Sequence, residues 1–267
     1  KDRLRLHILP FMGSKVLKEI TSGVGQEYRV HRMTKPKNWL KEGDEGYRPW
    51  KHPAQKTIHN EVVTMNMVLK TALRHRWIDY LPDPYRRQSK VEHRPWFTQK
   101  EYKQFYEATR KNAAHPKSER FRYYAEQLHD YVLIMANTGL RPDEAKRLEY
   151  RDIEIVDDDL TGETILEIEV RGKRGVGFCK SMPGAVRPFG RMLERNVAEQ
   201  TDLLFPNDFK KMFNNILHDL KLKFDREGKA RTAYSLRHSY ICFRLLEGAD
   251  IYQVAKNCRT LSRAESK

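Results

Sequence analysis

Two arginines and a lysine, spread along the second half of the sequence, have the side-chain chemistry of a phosphoryl-transfer centre. Arg141 follows Thr138-Gly139-Leu140, where one helical pattern stops and another starts, so its guanidinium can face a groove. Lys173 stands at the tip of a basic hairpin turn, Arg171-Gly172-Lys173-Arg174-Gly175. Arg237 and His238 interrupt a segment that otherwise reads as buried (Leu236, Ile241, Leu245, Leu246), and a basic pair in an apolar helix is unusual unless it points into a cleft. Guanidinium groups offer planar paired donors to the non-bridging oxygens of a phosphodiester and do not titrate away. Negative charge builds on those oxygens during displacement, so fixed donors lower the barrier, and a lysine beside the leaving oxygen can protonate it. The plainer reading is a set of surface ion pairs with Glu144, Glu149 or Glu169, which each basic residue taken alone fits better.

The elements that must position these residues follow from periodicity. Short apolar patches (Leu6–Phe11, Val16-Leu17, Ile20) mix with turn signals at Gly23 and Gly25, and the prolines and glycines between Thr34 and Pro53 read as loop. Ile58, Val62, Met65, Leu69, Ala72 and Trp77 place one apolar stripe on a helix that Leu81-Pro82-Asp83-Pro84 stops. Residues 85–95 are polar and basic and divide a helical domain at 1–84 from a second domain at 96–267. Arg86, Arg87 and Lys90 in this linker suit a phosphate backbone, or simply solvent.

The second domain opens on a capping box, Thr98-x-x-Glu101, with Phe97 and Tyr102 as a hydrophobic staple. A helix through Tyr124, Leu128, Tyr131, Val132 and Met135 ends near Thr138-Gly139, and Pro142 begins the next, with Asp143 and Glu144 in its first turn. Leu166, Ile168 and Val170 alternate with Glu167 and Glu169 as in a half-buried strand. Helical patterns return at 187–199, 208–224 and 234–247, where Gly248 closes the last, and a short one starts at Asp250. The expected fold class is mainly α with a small antiparallel β-sheet.

Bulk composition narrows the partner. The 267 residues leave room for two domains, and 51 Lys+Arg against 36 Asp+Glu give a formal charge of +15. Such a surplus draws polyanions, nucleic acid first, with anionic membrane and non-specific adhesion as alternatives. No apolar run reaches the length of a membrane span and no signal peptide is evident. The chain starts without Met, so an N-terminal part is expected to precede Lys1. Three scattered cysteines, Cys179, Cys242 and Cys258, suit neither a disulfide framework nor a zinc site, and imply a reducing, cytoplasmic compartment.

Order and spacing add a resemblance. The run from Thr138 to Leu148 resembles the first signature of the tyrosine recombinases (phage integrases), T-G-L-R-x-x-E-x-x-x-L. Tyr234-Ser235-Leu236-Arg237-His238-Ser239 resembles their second, H-x-L-R-H-[ST], and is followed by Leu246-x-Gly248-x-Asp250-Ile251. Val170-Arg171-Gly172-Lys173 is similar to the family's V-x-G-K hairpin, and the helix from Thr57 looks like the last helix of the core-binding domain. The resemblance covers roughly residues 55–260 and implies a two-lobed DNA breaking-rejoining fold, closing as a clamp on duplex DNA.

By that resemblance Arg141 and Arg237 activate the phosphate, Lys173 is the general acid toward the leaving 5′ oxygen, and Glu144 orients the site. Tyr234 stands where the family has His or Lys. Its phenol can hydrogen-bond a phosphate oxygen but is a poorer acid near neutral pH. His238 reads as a packing or orienting residue, and Arg171 and Arg174, with the linker's Arg86, Arg87 and Lys90, as DNA-binding. The resemblance further implies a double-stranded, att-like recombination site, a tetrameric synapse, association with the nucleoid, and no metal or nucleotide cofactor.

The sequence also departs from the pattern. The stretch from Ile251 resembles the approach to the third family motif, L-G-H-[ST], and its register puts Thr260 at the His position. The family's tyrosine nucleophile is expected some three helical turns later, yet Leu261–Lys267 contains no aromatic residue. The last tyrosine, Tyr252, falls too early and is expected on a packed helix face. Three readings are open: a recombinase core ending before its nucleophile, a catalytically dead core, or donation of a tyrosine by another protomer. Type IB topoisomerases share the chemistry, and a DNA-binding regulator without catalysis, reading DNA through a helix-turn-helix, is the alternative from another class.

Overall fold

The computed structural model of the protein describes residues 2–82, 93–159, 161–172 and 175–260, and the chain divides into two units, Lys1–Val91 and Glu92–Lys267. In the first unit a π-helical turn, Leu4–Ile8, runs into α1 (Leu9–Met12) and is followed by α2 (Ser22–Met33) and α3 (Gln55–Arg74). The stripe on α3 is buried as its spacing requires, from Ile58 through Val62, Met65 and Leu69 to Ala72, and it packs with Ile8, Met12, Ile20 and Tyr28. Glu61 lies wholly inside, accepting bonds from the Tyr28 hydroxyl (2.9 Å) and from Nε and Nη2 of Arg32 (both 2.9 Å). Burial alone would raise this carboxyl, but the bonds from Arg32 and Tyr28 outweigh it and hold its pKa low.

Three expectations for this unit are corrected. Gly23 and Gly25 lie inside α2 rather than at turns. Gly25 lies against Met65, and burial of Tyr28 together with the Arg32–Glu61 pair outweighs the low helix propensity of glycine. Helix α3 ends at Arg74, well before Leu81, because Arg76 takes a left-handed φ of 59° and Trp77 N–H turns back to the Ala72 carbonyl (2.9 Å). Trp77 therefore leaves the stripe and is exposed, while Ile78 is buried in its place. Residues between Thr34 and Pro53 form no helix or strand.

The second unit starts as expected. Thr98 N–H donates to Glu101 (2.9 Å) and Thr98 Oγ1 accepts from Glu101 N–H (3.3 Å), capping α4 (Gln99–Ala114). Phe97 is fully buried and stacks on Phe105, which meets Phe213 edge-on. The central helix, α5 (Arg122–Thr138), buries residues around most of its circumference because α4 and two later helices, α7 (Val186–Arg195) and α9 (Ala233–Leu246), pack against it. Asp130 on α5 is buried and accepts from both Arg191 and Arg195 of α7.

After α5, the short α6 (Pro142–Ala145) leads to a three-stranded antiparallel sheet of order β1-β2-β3: β1 (Ile153–Asp157), β2 (Thr164–Gly172) and β3 (Gly175–Lys180). Leu166, Ile168 and Val170 are the buried alternates of β2, and the β2–β3 hairpin closes on the pair Gly172–Gly175. Its tip, Lys173 and Arg174, lies outside the described residues, as do Arg86, Arg87 and Lys90 of the expected linker. Helices α8 (Lys210–Asp219) and α10 (Ile251–Asn257) complete the unit, and α10 and the segment after it pack on α9 and β3.

Two expectations for α9 and α10 are also corrected. Leu245 and Leu246 are exposed rather than buried, and Tyr252 is 72% exposed, because the last turn of α9 and the outer face of α10 are covered by no described element.

Candidate active site

Arg141 is placed by the turn between α5 and α6. Gly139 ends α5 with a φ of 66°, a left-handed conformation that glycine adopts readily, and the chain then reverses so that Arg141 caps α6. Glu144, in the first turn of α6, is buried and accepts from the Arg141 backbone N–H (2.9 Å) and from its Nη1 (2.7 Å). The second arm of Arg141, Nη2, donates to the Arg259 carbonyl (3.0 Å). Burial works against the charge on Arg141, but Glu144, and more weakly Tyr234, outweigh it and raise its pKa.

Arg237 comes from the first half of α9. It is 3% exposed, with Nη1 donating to the Gly139 carbonyl and Nη2 to the Cys258 carbonyl. The second arginine therefore joins the turn holding the first to the end of α10. Burial lowers its pKa and the neighbouring Arg141 adds to that, yet a guanidinium stays charged at any working pH.

The remaining candidates lie around this pair at different depths. Tyr234 precedes Arg237 by one helical turn, is 42% exposed, and has its ring 5.4 Å from that of His238. Burial, then Arg237 and Arg94, lower the pKa of His238, so near neutral pH it is an uncharged, half-buried group. Thr260 turns its hydroxyl back to the Ala255 carbonyl (3.0 Å), closing the end of α10. Arg171 lies on the sheet, where Nη2 pairs with Asp152 (2.9 Å) and Glu169 (3.0 Å). Arg141 and Arg237 thus meet beside Glu144, whereas Arg171 engages carboxylates of its own sheet and its neighbours.

The hairpin that bears Lys173 reaches the cluster through its base. A Cβ added to Gly172 would lie 3.4 Å from a Glu144 oxygen. Arg259 donates from Nη2 to the Gly175 carbonyl (2.8 Å) and lies 3.4 Å from Glu144 through Nη1. Sequence reasoning passed over Arg259. A signal existed, because the residue before Thr260 falls at the glycine of L-G-H, so an arginine there is out of pattern. Arg231 was missed as well. It is buried and donates to the carbonyls of Trp96 (2.9 Å) and Leu222 (3.0 Å) and to Glu101 (2.8 Å), a structural role with no local sequence signature.

The two thiols near the cluster are not poised as nucleophiles. Cys179 is fully buried, which pushes its thiol up to about 12, and burial raises Cys258 too, so both stay protonated packing groups. Among the described residues no group of His, Cys, Asp or Glu could hold a metal ion, and no helix is long and apolar enough to cross a membrane. A groove between α4, α5 and α7, lined by Arg110, His129, Asp130 and Arg191, contains none of the candidate residues.

The fold that carries this arrangement, mainly helical with one small antiparallel sheet, is the tyrosine-recombinase fold. Among solved structures, the XerH site-specific recombinase bound to its difH substrate in a pre-cleavage complex is 17% identical, at a TM-score of 0.64 over 98% of this chain and 72% of that one. The Tn1549 transposon integrase in complex with circular intermediate DNA is 15% identical, with a TM-score of 0.66 over 98% of this chain and 84% of that one. A lambda integrase dimer bound to a core site is 15% identical, with a TM-score of 0.61 over 98% and 83%. At this identity the likeness is one of fold. No family model matches the chain, and neither does any curated protein sequence.

Proposed function

We propose that the chain is the DNA-binding and catalytic core of a tyrosine-type site-specific recombinase or integrase. The observation that carries the reading is the meeting of Arg141 and Arg237, from elements far apart in sequence, beside Glu144 and at the base of the hairpin bearing Lys173. On this reading the two guanidiniums neutralise the non-bridging oxygens of a DNA phosphodiester, and Glu144 holds Arg141 in place. Tyr234 adds a hydrogen bond to a phosphate oxygen, His238 orients the helix turn beneath it, and Thr260 stands in for the family's His. A tyrosine oxygen attacks phosphorus to give a 3′-phosphotyrosyl bond, while the departing 5′ oxygen takes a proton from Lys173 and leaves as a hydroxyl. Rejoining runs the same steps backwards, which conserves bond energy and calls on no metal or nucleotide.

Residues 1–84 are assigned as a core-binding domain, 85–95 as a basic linker and 96–267 as the catalytic domain. Arg86, Arg87, Lys90, Arg171 and Arg174 would lie along the DNA backbone of an att-like site in a tetrameric synapse. Residues 253–267 contain no tyrosine, and the attacking group is left unassigned. The second reading is a catalytically inactive integrase-like protein that occupies or regulates its DNA site.

A nicked suicide duplex, built on sequence selected from a random pool by this chain, tests both readings. The 267-residue chain is expected to bind without covalent adduct. A chain continued through the reading frame beyond Lys267 is expected to form the adduct, and Arg141→Ala or Arg237→Ala in it to abolish adduct while leaving most affinity. Tight binding with no adduct from the continued chain selects the regulator, and absence of DNA binding refutes both.

A further inference from the structure

Helix α10 ends in a Schellman turn: Arg259 N–H donates to the Lys256 carbonyl (2.9 Å) and Thr260 N–H to that of Ala255 (2.9 Å). The residue at the left-handed position is Arg259, with a φ of 53°. An L-residue is destabilised in this conformation and glycine is not, so arginine here works against local preference. Its side chain makes the contacts that offset this. From α10 it crosses to the β2–β3 hairpin, donating to the Gly175 carbonyl and lying beside Glu144, and a Cβ added to Gly177 would sit 3.0 Å from its Nε. The carbonyls of Cys258 and Arg259 in the same turn accept from Arg237 and Arg141. One turn therefore touches both arginines, the shared carboxylate and the hairpin.

We propose that Arg259 is a positioning residue that fastens the Lys173 hairpin to the Arg141–Glu144–Arg237 cluster. The inference rests on the recombinase reading for its purpose, but its physical content is the tether between α10 and the hairpin. Without the guanidinium, the N-terminal part of β3 loses a tie to α10 and relies more on its pairing with β2, so the described strands of the hairpin open more readily.

Hydrogen exchange on the free chain, followed by mass spectrometry, tests the tether without DNA. Arg259→Gly relieves the left-handed backbone and removes the guanidinium, so thermal stability is expected to hold or rise. The amides of Gly175 and Gly177, which face β2, should nevertheless exchange about tenfold faster, with the rest of the second unit unchanged. Arg259→Lys, which keeps one donor within reach of the Gly175 carbonyl, should restore part of that protection. Unaltered hairpin exchange in the glycine variant, no rescue by lysine, or acceleration spread evenly over the unit would each overturn the proposal. DNA binding by the unsubstituted chain is measured beside it: failure there refutes the recombinase reading, whereas failure of the exchange pattern refutes the tether.

Discussion

Glu144 is buried among cationic groups, accepting from Arg141 through both backbone and side chain and lying next to Arg259. Its charge balances guanidiniums that would otherwise repel one another in a site of low polarity, and a neutral amide of the same shape cannot do so. Glu144→Gln is expected to cost about 2–4 kcal/mol, read as a lower urea midpoint with unchanged slope; a midpoint equal to wild type would show the cluster to be dispensable for folding. Gly139 is constrained twice over, by its φ of 66° and by Tyr240, whose Cδ1 would lie 2.4 Å from an added Cβ. Gly139→Ala should therefore lose roughly 2–4 kcal/mol, more than its single methyl group suggests. A thermal melt within a degree or two of wild type would contradict the turn geometry.

At the level of elements, the α4–α5 pair contains a pH-sensitive contact. His129 on α5 meets the Thr109 hydroxyl of α4 (2.9 Å), and burial pulls its pKa down to about 4, opposed by Asp130 and reinforced more weakly by Arg191 and Arg110. The unfolded chain, with an ordinary histidine, binds more protons than the folded one between that value and about 6.5. Stability is therefore full above about pH 6.5 and falls as the pH drops toward 4, by roughly 2 kcal/mol once partial exposure of the ring is allowed for. His129→Gln, which keeps a polar partner for Thr109 without a titrating ring, should flatten the melting temperature over that interval. A wild-type curve already flat there would remove His129 as the cause.

For the whole molecule the governing quantity is charge. With +15 on 267 residues, binding to duplex DNA should be dominated by release of counterions from phosphates. Affinity is expected to fall about 10³-fold or more between 50 and 200 mM salt, as for proteins contacting at least six phosphates. A nearly salt-independent affinity, measured by fluorescence anisotropy, would count against a phosphate-gripping surface. Arg141→Ala should shift that plot only slightly, because one phosphate contact contributes about one unit of slope.

Much of the local structure was legible in the residues alone: the Thr98–Glu101 capping box, the alternation of β2, the glycine that ends α5, and the hairpin motif ahead of Lys173. Each follows from spacings of a few residues, where periodicity and capping chemistry act directly. The meeting of Arg141 with Arg259, or of Arg237 with Gly139, spans 118 and 98 positions, and no local pattern specifies such a pair. An apolar stripe likewise says which face is to be covered but not by what, so Trp77, Leu246 and Tyr252 read as packed although no described element covers them. For Arg231, burial depends on the carbonyls of Trp96 and Leu222 and on the Glu101 carboxylate, and for Arg259 a left-handed backbone is held against propensity by partners on another element. Motif chemistry and element boundaries arise from near-neighbour forces carried in the sequence. The burial, pairing and strain that turn those motifs into one site exist only once the chain has folded back on itself.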